Sequence, residues 1–256
     1  MHIFPSFTSK HILRHITSLS FILLVYATPV YSQSPTHPWY IGREVCIPIF
    51  FGNLKTQLQD QHPSSLQYGL SGGYKLYRFL DIELSLDYGN SRLTARSADY
   101  GYYLDRHGET YSTAQTPGTV SYSQIYSQLK YAGIGIHAPL HLNHFLFQQS
   151  KHYRLTLLLS PCLAINRYKS KIRLKYSDQT WLPSQIHWSF ELSTDLLLRY
   201  NLSKRIDFQL RTGIKYITNK KFDGLSAHHP HNTSYVWTSG LSLLYKFGKN
   251  KLLKNN

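Results

Sequence analysis

Between Ile186 and Tyr216 apolar and polar residues alternate with a period of two. Ile186, Trp188, Phe190, Leu192, Thr194, Leu196, Leu198 and Tyr200 hold the even positions, and His187, Glu191, Asp195 and Arg199 fall between them. After a short turn, Ile206, Phe208, Leu210, Thr212, Ile214 and Tyr216 alternate with Asp207, Gln209, Arg211 and Lys215. Period two is extended strand with one apolar and one charged face. The apolar face here starts and ends in aromatics. Lipid outside and a polar lumen inside select that arrangement, so the pattern predicts a membrane-spanning β-barrel.

The same reading divides the chain into eight strands, at about 40–51, 65–77, 80–92, within 119–142, 153–167, 185–200, 205–217 and 234–247. In the fourth, the parity slips near Ala132-Gly133, which predicts a β-bulge. The connections alternate in length. Strands two and three meet around Arg78, and strands six and seven around Ser203. Segments 52–64, 93–118, 168–184 and 218–233 are long and polar, and 143–152 is intermediate. Short turns on one side and long loops on the other fit the periplasmic and exterior ends of an outer-membrane barrel. A β-sandwich also offers eight strands, but not this alternation. The expected fold is therefore all-β, an eight-stranded antiparallel up-and-down transmembrane β-barrel.

Charged faces turned inward need partners in low-dielectric surroundings. A hairpin centred on Ser203 sets Arg199 opposite Asp207, Asp195 opposite Arg211 and Glu191 opposite Lys215. One centred on Arg78 sets Lys75 opposite Asp81. Directly opposed residues have Cβ atoms roughly 4.5–5.5 Å apart, close enough to pair. Gly69, Gly73, Gly89, Gly213 and Gly240 share the inward parity and are expected to make room for long Arg and Lys side chains. Side chains fill a barrel of this size, which argues against general diffusion through it. Cys46 and Cys162 fall on strands one and five, across the barrel from one another, and are expected to be free thiols.

Charge and the N-terminal segment add an address. The chain carries 28 Lys+Arg against 13 Asp+Glu, a formal charge of +15. No stretch reaches the 18 or so apolar residues of a transmembrane helix. The apolar run from Ile16 to Val30 follows Lys10 and Arg14, is broken by Thr17, Ser18 and Ser20, and leads into Val30-Tyr31-Ser32. Those features predict a secretory signal peptide cleaved after Ser32. The expected organisation is signal peptide 1–32, leader 33–39, barrel 40–248 and basic tail 249–256, in the outer membrane of a Gram-negative bacterium. Nucleic acid is a poor partner for that compartment despite the basic charge. The expected partners are outer-membrane lipid and, during biogenesis, the outer-membrane assembly machinery.

Outward aromatics fall at two levels. Tyr74, Tyr153, Tyr200, Phe208, Tyr245 and Phe247 lie near the short turns, and Tyr68, Tyr88, Trp188, Tyr216 and Trp237 near the long loops. The separation of Trp237 and Phe247 is ~33 Å along a strand and about 25 Å after tilt, the height of an apolar band. The last strand, Gly240 to Phe247, looks like the terminal strand of Gram-negative outer-membrane proteins, here followed by Gly248 to Asn256. Ile134 to Leu142, with Pro139, and Tyr153 to Pro161 are similar to segments of the PorT-like outer-membrane β-barrel family of Bacteroidetes, which the mature chain resembles. The resemblance implies a small barrel in the cell envelope. Some members of that family serve secretion and gliding machinery.

Candidate chemistry is sparse. Arg167, Lys169, Lys171, Arg173 and Lys175 share one parity, so an extended loop arm would present a cationic stripe to the phosphates of lipopolysaccharide or another anionic surface polymer. An ordinary solvated hairpin arm would look the same. His228, His229 and His231 cluster in the last outer loop without the Cys or carboxylate spacing of a metal site. No cofactor motif is present. His187, Ser189 and Glu191 lie at steps of two on one strand, a spacing that rarely gives the contacts of a hydrolytic triad. Tyr100, Tyr102, Tyr103 and Tyr111 suit the second outer loop to protein or glycan contact or to packing. The expected function is a non-enzymatic barrel that contributes to envelope structure or binds a surface ligand or envelope protein through its loops. The alternative is a small lipid-modifying barrel enzyme. A water-soluble ligand-carrying barrel would need the apolar parity to face inward.

Overall fold

A computed structural model describes residues 37–52, 54–56, 65–77, 79–95, 101–112, 118–146, 154–225 and 234–248. Eight long strands run in chain order: β1 (Trp39–Phe51), β2 (Ser65–Lys75), β3 (Asp81–Ala95), β4 (Ile125–His137), β5 (Leu155–Leu174), β6 (Thr180–Asn201), β7 (Ile206–Ile217) and β8 (Ser234–Phe247). Each is antiparallel to the next, and β8 returns to pair with β1 from Trp39↔Phe247 to Phe51↔Tyr235. Through the belt each strand is paired on both sides, so the ring is closed there, while the upper part of β6, 180–190, extends past the end of its β7 partner.

Register fixes the shape of the ring. Pairs lead from Trp188 through Arg167, Ala132, Tyr88, Tyr68, Val45, Leu241 and Leu210 back to β6 at Leu198, ten residues from the start. With a rise of about 3.3 Å per residue and strands about 4.8 Å apart, that stagger tilts the strands by about 40° and sets a backbone radius of about 8 Å. The tilt returns the ~25 Å apolar height. Along it the outward face is hydrophobic surface interrupted by the exposed Arg43, with Leu163 64% and Phe190 67% exposed. An apolar belt on a closed wall is stable against lipid and not against water, which makes this a transmembrane barrel.

The interior has two storeys. Through the belt it is polar and charged. Toward the long-loop end it becomes an apolar core of Phe50, Leu54, Leu93, Leu129, Tyr131, Tyr168, Ile172 and Phe222, among others. Phe222 arrives from the segment after β7, which folds into the mouth, stacks its ring 5.8 Å from Phe50 and meets Tyr168 edge-on at 5.6 Å. Asp223 beside it accepts from the Leu54 amide at 3.0 Å. A short three-stranded sheet (Tyr103–Leu104, Thr110–Tyr111, Val120–Ser121) buries Leu104 and Val120 against the same core.

This upper storey corrects several expectations. Segment 168–184 is not a long loop: β5 and β6 continue through it to a turn at 175–179. No β-bulge breaks β4, whose pairing with β3 and β5 is continuous past Ala132 and Gly133. The apparent slip arises because Leu129 and Tyr131 face inward to the core while Gln128 and Lys130 face outward. The inward glycines mostly admit other groups than Arg and Lys. A Cβ on Gly73 would meet the Tyr40 ring, on Gly89 the Tyr131 ring, on Gly213 the Asp195 carboxylate and on Gly240 the Cys46 thiol. The 143–152 connection holds a short helix, α1 (Leu142–Leu146). The signal peptide, the tail from 249, Arg78, Tyr100, Tyr153 and His228, His229 and His231 lie outside the described residues.

Candidate functional site

Strand parity aims seven of the thirteen acidic residues (Glu44, Asp81, Glu83, Asp87, Glu191, Asp195 and Asp207) into the lumen. There they meet a ladder of cations. Arg211 is the hub: its guanidinium lies 3.3 Å from Glu44, 3.2 Å from Glu83 and 3.8 Å from Asp195. Arg199 reaches Asp81 at 3.0 Å and donates to Gln209 at 3.0 Å. Lys215 sits 3.2 Å from Glu191, which also accepts from the Tyr168 hydroxyl. Lys246 sits 2.8 Å from Asp207. The Tyr40 hydroxyl donates to Glu83 at 3.0 Å, and His141 lies 2.9 Å from Asp81.

The β6–β7 register differs from the expected one by two residues. Arg199 lies opposite Gln209, Asp195 opposite Gly213 and Glu191 opposite Ile217, while Asn201 lies opposite Asp207. The Ser203 hydroxyl accepts from the amides of Arg205 and Ile206, and that side-chain-closed turn moves the centre one residue onward. Asp195–Arg211 and Glu191–Lys215 therefore meet diagonally rather than directly across. Arg199 and Asp207 part, each taking a partner from another strand. Lys75 lies opposite Asp81.

The lumen is plugged. A void of about 20 Å³ between Glu44, Asp87, His137 and Lys215 has room for about one water molecule. Cys46 and Cys162 border it as free, buried thiols, and the Cys46 thiol donates to Glu44 at 2.6 Å. His187, Ser189 and Glu191 each have other partners. His187 bonds Gln185 at 3.2 Å, Ser189 bonds Thr218 at 3.2 Å, and Glu191 pairs with Lys215 and Tyr168. Among the described residues, no group of three or more His, Cys, Asp or Glu could hold a metal ion.

The basic stripe is on the outer wall rather than on a free loop arm. Along β5 the outward residues run Leu163, Ile165, Arg167, Lys169, Lys171, Arg173, passing from apolar to cationic in one step. Arg173 ion-pairs with Asp178 at 2.7 Å, and Lys175 donates to the Ser123 carbonyl at 2.6 Å. The Tyr126 hydroxyl also bonds Asp178, and Arg92 stacks 3.8 Å over the Tyr126 ring. The hydrogen bond from Tyr126, with the Arg173 guanidinium beside it, holds the Asp178 carboxyl below the usual carboxylate range against the opposing effect of desolvation. Sequence reasoning missed Lys130, which faces outward on β4 directly opposite Lys169. Its signal was present: it shares parity with Ala132, Ile134 and Ile136.

No family model matches the chain, and no curated protein matches it in sequence. Among solved structures it is similar to the Neisserial surface protein A, at 13% identity and a TM-score of 0.45 over 82% of this chain and 97% of that one. It is also similar to Ail, the attachment invasion locus protein of Yersinia pestis, at 11% identity and 0.41 over 83% and 99%. A major outer membrane protein from Thermus thermophilus gives 9% identity and 0.46 over 82% and 100%. All three scores lie below 0.5, so the architecture rests on the strand pairing and the exposed belt described above.

Proposed function

We propose that this protein is a non-enzymatic barrel of a Gram-negative outer membrane, with a lumen sealed by its own side chains and a role in envelope structure or surface binding. The observation that carries this reading is the closed eight-strand ring with lipid-facing aromatics and aliphatics outside and paired charges inside. The plugged lumen disfavours a general pore, and the separate partners of His187, Ser189 and Glu191 favour a scaffold over a hydrolase. What is specific to the protein then sits on the upper storey and its outer segments. A partner in secretion or gliding machinery, as the PorT-like resemblance implies, would dock there. Fractionation with heat-modifiable gel migration tests the proposal. Co-sedimentation with outer membranes and a faster-running unheated band are expected; recovery in the soluble fraction would sink it.

A further inference from the structure

On the outer wall of β4 and β5 the boundary between belt and water is marked by cations that have no partner among the described residues. Lys130 and Lys169 are directly opposed across the two strands, both exposed, with Arg167 and Lys171 on either side of Lys169. Opposed residues on one face have Cβ atoms roughly 4.5–5.5 Å apart, and like charges placed so are destabilising. Among the described residues none of these four side chains takes part in an ion pair or hydrogen bond. The next cations up the wall do have partners: Arg173 is neutralised by Asp178, and Arg92 lies on Tyr126. A solvated hairpin arm would gain nothing from concentrating repulsion in one row, whereas a bound polyanion would relieve it.

The depth of the row selects the anion. Arg167 pairs with Trp188 on one side and Ala132 on the other, and Ala132 pairs with Tyr88. Exposed Trp and Tyr at these positions mark the level where acyl chains give way to headgroups. Below, the same two strands show bare Ile134, Ile136, Ile165 and Leu163. They lead to an open apolar groove of about 640 Å³ around Pro161, Leu163 and Leu192. Lys169 to Leu163 is ~20 Å along the strand and ~15 Å in depth after tilt, about one leaflet of a ~30 Å hydrocarbon core. The wall is thus amphipathic over the length of one lipid.

We propose that Lys130, Arg167, Lys169 and Lys171 bind the phosphorylated headgroup of an outer-leaflet lipid such as lipopolysaccharide, whose acyl chains lie down the apolar wall toward the Pro161 groove. This rests on the outer-membrane reading. Charge-assisted contacts from two strands hold the phosphates, and the belt holds the chains.

The test uses protein extracted from membranes and placed in phosphatidylcholine nanodiscs, titrated with bisphosphorylated lipid A and with the same lipid dephosphorylated. Phosphate-dependent binding is expected, weakening as salt is raised. The K130Q/K169Q variant is expected to bind about 30-fold more weakly, two charges at about 1 kcal/mol each near a charged surface. K204Q/R205Q, at the opposite end of the barrel, should bind like the parent. Heat-modifiable migration reports whether each variant is folded, and the phosphate dependence of the parent stands even if the double variant is not. Equal binding of both lipids would overturn the proposal. So would inorganic phosphate competing as well as lipid A, since the site would then take free anions. A protein that inserts into nanodiscs but ignores phosphate fails this inference alone, while one that never enters membranes fails the reading beneath it.

Discussion

Arg211 offers the sharpest test of the sealed lumen. Its three nitrogens address three carboxylates on three other strands: Nε faces Glu44 on β1, Nη2 faces Glu83 on β3 and Nη1 faces Asp195 on β6. At an effective dielectric of about 20, each pair near 3.3 Å is worth about 5 kcal/mol of attraction before desolvation. Most of that repays the removal of four charges from water. Truncation does not return the desolvation, because the three acids stay behind without their cation. Arg211→Met, which keeps most of the volume, is therefore expected to destabilise the barrel by about 3–5 kcal/mol. Arg211→Lys keeps the charge but has one ammonium for three separated acids, so an intermediate loss is expected. Urea unfolding in lipid vesicles, followed by tryptophan fluorescence, reads both. A Met variant as stable as the parent would refute the reasoning. A Lys variant equal to the parent would refute the part assigned to the fork.

Gly73 lies under the Tyr40 ring, so Gly73→Val is expected to cost about 1–3 kcal/mol by overpacking, with Tyr40→Ala in the same chain recovering part of it in the same assay. Arg43 is an outward, exposed cation between Ile41 and Val45, flanked by Leu70 and Leu243, and Arg43→Leu is expected to stabilise the barrel in lipid by about 1–3 kcal/mol; a loss of stability would show that something other than lipid covers that face. Buried Cys46 and Cys162 should resist a maleimide reagent in the folded protein and react fully in denaturant, and fast labelling of the folded form would contradict the plugged lumen. Asp178 shields Arg173, so Asp178→Asn should raise affinity for phosphorylated lipid A a few-fold. Because the Asp178 carboxyl is held below the usual range, it stays ionised as pH falls from about 7 to about 5, so the weakening of lipid binding over that interval, as the lipid phosphates take up a proton at about pH 6, should be the same in the parent and in Asp178→Asn.

Strand positions were legible wherever one face meets lipid and the other meets paired charge, as on β3, β6 and β7. The closed ring followed from their number and the alternation of connections. Register was less legible, for a physical reason. A slip of one residue turns every side chain to the wrong face, but a slip of two leaves every face unchanged. The Ser203 turn therefore misplaced the β6–β7 pairs without disturbing parity, and long Arg and Lys side chains still reached Asp195 and Glu191 diagonally. Arg199 could not be assigned to Asp81 from one hairpin, because that contact crosses the lumen between strands far apart in the chain. The same holds for Phe222, whose burial depends on a segment folding back over the mouth.

The apparent bulge and the apparent loop share one cause. Parity with a fixed sign, apolar outward, does not hold along the whole wall, because the sign depends on what surrounds it. In the belt the outside is lipid, so Ile134 and Ile165 face out and Glu191 and Arg211 face in. Above the belt the outside is water, and the preference reverses: Leu129, Tyr131, Tyr168 and Ile172 turn in while Lys130, Lys169 and Lys171 turn out. The backbone keeps its period through the change, as the unbroken pairing of β4 and β5 shows. A reversal of sign at constant phase is therefore a depth mark, written where a strand leaves the membrane. On β4 it falls between Lys130 and Ala132 and on β5 between Ile165 and Arg167, and Arg167 pairs with Ala132. Two strands thus agree on where lipid ends, and the cations that have no partner among the described residues begin at that line.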